Sequence, residues 1–129
     1  MNRKLAPILA TLCLAAGAAR GQPGAVHKQT LQDAPFPGRG LHSVLVHTTV
    51  DPGGLVATHT HPGLELAYVQ SGEALVTLGG APPRRVGPGE SFAAPQGLPH
   101  SVRNAGQAPL VIVSTYVVSA SQPIASPVR

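Results

Sequence analysis

At 129 residues and a formal charge of +4, the chain has room for one domain that buries a real core. Charged residues make up only 11 %, Gly and Pro together number 29, and Trp is absent, which excludes long amphipathic helices as the main architecture. Nucleic-acid binding is not expected either, because no Lys/Arg stripe with interleaved aromatics occurs.

Two of the basic residues, Arg3 and Lys4, precede the uncharged run Leu5 to Ala19, which ends in Ala16-Gly17-Ala18-Ala19. Charge, apolar run and small residues in that order are the layout of a secretory signal peptide. The run falls short of the roughly 20 apolar residues that a membrane span needs, so a retained anchor is the lesser alternative. Residues 1–19 are therefore expected to be removed on export, leaving a periplasmic or secreted protein without membrane attachment. Cleavage after Ala18 or Ala19 leaves seven Lys/Arg against five Asp/Glu, a net charge of +2. The single cysteine, Cys13, falls inside this segment and follows Leu12, whereas a lipoprotein signal has a small residue there. The mature chain then has no thiol, which rules out disulfides and thiolate metal sites.

Residues 20–40 mix Gly, Pro, Gln and isolated apolar residues without a period, and are read as an extended lead-in. From Leu41 the texture changes to β-branched runs broken by Gly and Pro. Strands are predicted over Leu41–Val50, Leu55–Thr60, Glu65–Gln70, Ala74–Leu78, Arg84–Val86, Ser91–Ala94, Ser101–Arg103 and Leu110–Val118. Eight short strands between turn signals predict an all-β sandwich or barrel over 41–118. The polar, Pro-containing residues 119–129 are read as a flexible tail.

His59 and His61 lie two apart in a predicted strand, so both imidazoles leave on one face, about 7 Å apart at the backbone. Pro62-Gly63 turns the chain, and Glu65 opens the next strand facing the same space. His100 is placed to join them from a separate strand. Three imidazole nitrogens and a carboxylate oxygen suit a divalent transition metal and leave coordination positions open. Taken singly, each residue has an ordinary reading: a solvated His-x-His, an exposed acid, a histidine bonded to a turn. Of the other histidines, His42 and His47 point to opposite faces, so at most one faces a barrel interior, and His27 is expected to be solvated. Tyr68 is expected on the face opposite Glu65, and Phe92 in the core.

The spacings around these residues resolve the choice. Gly53, five residues, His59, one, His61, three, Glu65, six, Gly72 forms one string; Gly89, five, Pro95, one, Gly97, two, His100, three, Asn104 forms the second. Both resemble the two conserved motifs of the cupin superfamily at every defining position, and the short segment Glu73 to Pro88 between them is similar to that of small bacterial single-domain (type 2) cupins. The likeness spans Gly53 to Asn104. It implies a double-stranded β-helix, or jelly-roll barrel, that holds one divalent transition metal (Zn, Cu, Mn, Ni or Fe) on His59, His61, Glu65 and His100. Gly53, Gly72, Gly89 and Gly97 would be turn residues, and Asn104 structural.

The function this implies is a metal-dependent enzyme acting on a small molecule, with dioxygenase chemistry expected first and isomerase, lyase or decarboxylase chemistry behind it. Glu65 is the candidate base. The alternative is a non-catalytic small-molecule or metal-binding protein of the cell envelope. Arg3-Lys4 is not a twin-arginine pair, so the chain is expected to cross unfolded and to acquire its metal after export, which favours copper and zinc over iron. The apolar strands also allow two barrels to pair as a homodimer.

Overall fold

The computed structural model describes residues 24–128; the expected signal segment, 1–19, lies outside the described residues. The described residues form ten strands and no helix: β1 (Val26–Phe36), β2 (Leu41–Val50), β3 (Leu55–Thr60), β4 (Gly63–Ser71), β5 (Ala74–Leu78), β6 (Arg84–Val86), β7 (Ser91–Ala94), β8 (His100–Asn104), β9 (Leu110–Ser119) and β10 (Ser126–Pro127). They build two five-stranded sheets, ordered β1-β2-β9-β4-β7 and β10-β3-β8-β5-β6. All pairings are antiparallel, and the architecture is the double-stranded β-helix that the motifs imply.

Strict alternation along β9 shows how the interior is made. Leu110, Ile112, Ser114, Tyr116 and Val118 are buried while their neighbours are only partly covered. β2 repeats the pattern with Val44, Val46, Thr48 and Val50. One apolar cluster, including Val50, Val69, Val76, Phe92, Leu110 and Ile112, fills one end of the barrel. A smaller cluster of Val44, Val46, Tyr116 and Val118 fills the other. Thr48 and Ser114 lie between them on β2 and β9, so a polar layer divides the core. The four candidate ligands are buried as well.

The strands expected between 41 and 118 are present, with ends that differ by no more than two residues. The flanks extend the barrel further. Residues 26–36, expected as an extended lead-in, form β1 and pair with β2 along their length. Nearly all of β1 is exposed, so packing imposes no apolar alternation on it, and periodicity could not reveal it. At the other end, Ser126 and Pro127 pair with Thr60 and His59, and Ile124 packs on the smaller cluster. The motif glycines Gly53, Gly72, Gly89 and Gly97 all have positive φ, at 74°, 80°, 84° and 73°. At Gly72 a side chain is also excluded by space, because a Cβ there would meet Leu110 Cα at 2.7 Å. Asn104 is structural: its buried amide donates to the Val50 and Ala108 carbonyls, and its Oδ1 accepts from Gly106 N–H.

Candidate metal centre

A local irregularity in β3 aims the first ligand. Val56 opposes Val102 and His59 opposes His100, so β3 spends three residues where β8 spends two. Unbroken alternation from Val56 would turn Thr58 inward and His59 outward. The β-bulge shifts the phase by one, and His59 becomes buried at 9 % exposure while Thr58 stays exposed. His61 follows immediately after the strand and keeps the same face, with ring centroids 4.8 Å apart. His100 opens β8 directly across from His59, with 4.3 Å between centroids. Glu65 reaches the cluster from the opposite sheet, where β4 sits between β7 and β9.

One ligand atom from each of His59, His61, Glu65 and His100 lies within 4.8 Å of all the others. Each imidazole is oriented by a backbone carbonyl at Nδ1: Ala57 at 2.7 Å for His59, Ile124 at 2.6 Å for His61 and Leu98 at 2.9 Å for His100. A carbonyl only accepts, so Nδ1 carries the proton in all three rings. Nε2 is then the nitrogen turned to the site, a donor where the ring carries a second proton and a ligand where it does not. In His61 and His100 it points at Glu65 Oε2, at 3.1 and 3.0 Å. Carbonyl-anchored Nδ1–H with convergent Nε2 is the arrangement of metal-binding histidines, and this donor set fits a divalent transition ion.

Among the described residues, a family model for the cupin domain matches 46–116, more than half of the chain, and this stretch contains all four candidate ligands. The chain belongs to the cupin family. This cupin is 37 % identical over 73 residues to the dimethylsulfoniopropionate lyase DddQ of Ruegeria pomeroyi, a match that takes in 56 % of the chain but 35 % of the lyase. The chain thus spans about a third of that relative's length. A double-stranded β-helix protein from Klebsiella pneumoniae superposes with a TM-score of 0.66 at 25 % identity, covering 80 % of this cupin and 85 % of that chain. The oxalate decarboxylase of Bacillus subtilis, a protein with Mn(II) centres, superposes at 0.59 and 25 % identity, covering 85 % of this cupin and 29 % of the decarboxylase.

Burial and neighbouring charge set the protonation states of the metal-free cupin. Burial pushes His59 down to about 4, aided by the positive character of His100, His61 and Lys28 and opposed by its bond to Ala57. Burial also opposes ionisation of Glu65, yet hydrogen bonds from His100 and His61, with the Ser114 hydroxyl alongside, hold it far below the usual carboxylate range. His100 is raised: burial works against its charge, but the bonds to Glu65 and the Leu98 carbonyl outweigh it. Tyr116 is raised by burial and by the adjacent Glu65 charge.

Tyr116 is the residue that motif reasoning missed. It pairs with Glu65 across β9 and β4, donates from its hydroxyl to Glu65 Oε1 at 3.0 Å, and sets its ring 4.8 Å from that of His61. The available signal was its position: Ser114 and Tyr116 are polar residues on the inward parity of an otherwise apolar strand. The remaining histidines stand apart. His42 is on the inward row of β2 but bonds Asp33 at 2.8 Å, and His47 is on the outer row. Tyr68 is 48 % exposed on the outer face of the sheet, and Phe92 is in the core. A cavity of about 20 Å³, roughly one water, touches His59, Glu65, His100 and Tyr116. A larger one, about 210 Å³, opens beside His61 and Tyr116.

Proposed function

We propose that this cupin is an exported metal-dependent enzyme that acts on a small molecule by lyase or decarboxylase chemistry. The observation that carries the reading is the convergence of three carbonyl-anchored imidazoles with the Glu65 carboxylate, with one cavity at His59, Glu65 and His100 and another at His61. The lyase and decarboxylase named above support the reaction class, and the Mn(II) of the decarboxylase supports a divalent ion. An ion bound here would supply a Lewis acid for a substrate oxygen. Glu65, held ionised by its partners, is a ligand first and a weak base. The proton-bearing group beside it is the Tyr116 phenol, and the Glu65–Tyr116 pair is assigned proton transfer to or from substrate.

Elemental mass spectrometry of the mature protein from its exported compartment is the primary test, beside a His59→Ala/His61→Ala control. About one equivalent of a single metal, lost in the control, is expected; a folded protein without metal would sink the centre. N-terminal sequencing of the same sample checks cleavage near Ala18 or Ala19. Metal-dependent oxygen uptake with a substrate would move the reaction to the dioxygenase class expected from the resemblance.

A second reading, ligand capture without turnover, is favoured by the small space directly at the ligands. A panel of compounds that raises the melting temperature and never yields product selects it. Pairing of two barrels is assigned to the outer face of β4, where Leu64, Leu66 and Tyr68 stand exposed together. Light scattering on wild type and Leu66→Asp tests this: a dimer that becomes a monomer is expected, and a monomeric wild type refutes it.

A further inference from the structure

The family match begins at residue 46 and ends at 116, yet two segments outside it reach the centre. One is the Ile124 region. The other is β1, and its contribution is a charge. β1 directs Val26, Lys28 and Thr30 to the side on which β2 presents Val50, Thr48 and Val46, their register partners and all buried. Lys28 therefore stands on the inward row although its strand is exposed.

Lys28 is the one residue besides Tyr116 that lines both interior cavities. In the smaller it stands with His59, Glu65 and His100; in the larger it stands with Thr30, Val46, His61, Ile124 and Ala125. No carboxylate forms an ion pair with it among the described residues, where the pairs involve His42, His61, His100 and Arg85 instead. It is also the only lysine between residues 24 and 128. An ammonium with a flexible stem, placed at the junction of an open pocket and a buried ligand cluster, is a point charge suited to an anion. Apart from His61, the rest of the larger cavity is apolar or hydroxylic, and no other Lys or Arg lines it.

We propose that Lys28 is a substrate-positioning residue that anchors one carboxylate of a small organic acid in the larger cavity, with the acid's other end directed at His59, His61, Glu65 and His100. At about 210 Å³ the cavity has room for a small organic acid beside the ligand cluster. The substrate class is thus a short mono- or dicarboxylate. This assignment rests on the proposed metal centre, and the test keeps the two separable.

The probes are oxalate, malonate and succinate, each paired with its neutral diamide, titrated by calorimetry into the metal-loaded protein. At least one acid is expected to bind tenfold or more tightly than its diamide. Lys28→Met should remove that preference with metal content and melting curve unchanged, Lys28→Arg should restore most of it, and Arg84→Met on the outer face should have no effect. Three results overturn the proposal: no acid preferred over its diamide, a preference that survives Lys28→Met, or a preference lost equally in Arg84→Met. A Lys28-dependent preference in a folded wild-type protein that takes up no metal would uphold the anchor and refute the metal centre instead.

Discussion

The hydroxyl of Tyr116 is the smallest group on which the centre depends. It satisfies one oxygen of a buried carboxylate whose other oxygen faces His61 and His100. Tyr116→Phe removes that bond and leaves the ring against His61. Metal affinity, measured by competition with a chromogenic chelator, should fall roughly 10–100-fold, and the metal-free protein should lose about 1–3 kcal/mol in denaturant unfolding. An unchanged affinity would remove Tyr116 from the support of Glu65. Acid should act on the same cluster in a definite sense. His59 is depressed to about 4 in the folded state, so below 6.5 the unfolded chain takes up this proton first and stability drains away as pH falls from 6.5 towards 4. Glu65 is also depressed and adds to the loss below 4.5. His100 is raised, so its contribution is complete below 6.5 and is lost only as pH rises through its folded value. Urea midpoints of metal-free protein between pH 7 and 4 should decline, and the decline above pH 4.5 should flatten in His59→Phe. The four candidate ligands were legible as a cluster because their spacing is carried by motifs. Tyr116 was not, because nothing in its neighbourhood specifies a role until β9 is paired with β4.

At the level of elements, the centre is held by irregular backbone as much as by strands. The β3 bulge turns His59 inward, and the Ala57 carbonyl within it accepts from the ring it has turned. Simple alternation put His59 and His61 on one face, which is correct, but it could not say which face, since only pairing with β8 reveals the extra residue. The C-terminal segment poses the same difficulty. Residues 119–129 carry no periodic signal, yet the Ile124 carbonyl fixes His61, and β10 covers the edge of β3 beside His59. Deleting residues 121–129 exposes that edge and leaves the His61 Nδ1–H without its acceptor. The truncated protein should keep its β-sheet circular dichroism, because the larger apolar cluster contains none of these residues. Its metal should be lost to a chelator that the full chain resists, with affinity down by roughly 10–100-fold. Equal retention would show that the tail covers the site without orienting it. β1 eluded the sequence for a third reason: an exposed edge strand needs no alternating pattern, and its bulge between Thr30 and Gln32 breaks what pattern there is.

For the whole molecule the question is whether the metal holds the barrel together or is held by it. A structural ion typically supplies the folding energy of a domain too small to build a core. Here two apolar clusters flank the polar layer, and the larger draws its members from both sheets. The layer itself is internally satisfied, since every candidate ligand has a hydrogen-bond partner within the chain. A barrel with those properties needs no ion to fold. Stripping the metal with a chelator should therefore leave a cooperative thermal transition and an unchanged far-ultraviolet spectrum. Returning metal at about a thousandfold excess over its dissociation constant should add about 4 kcal/mol, on the order of 10–20 °C in melting temperature for a domain of this size. Scanning calorimetry before and after chelation measures both. Loss of the transition on chelation would make the ion a staple, and with it the case for an open, reactive centre would fail. A folded metal-free barrel would place the stability in the apolar clusters and leave the polar layer free to be built for binding and chemistry.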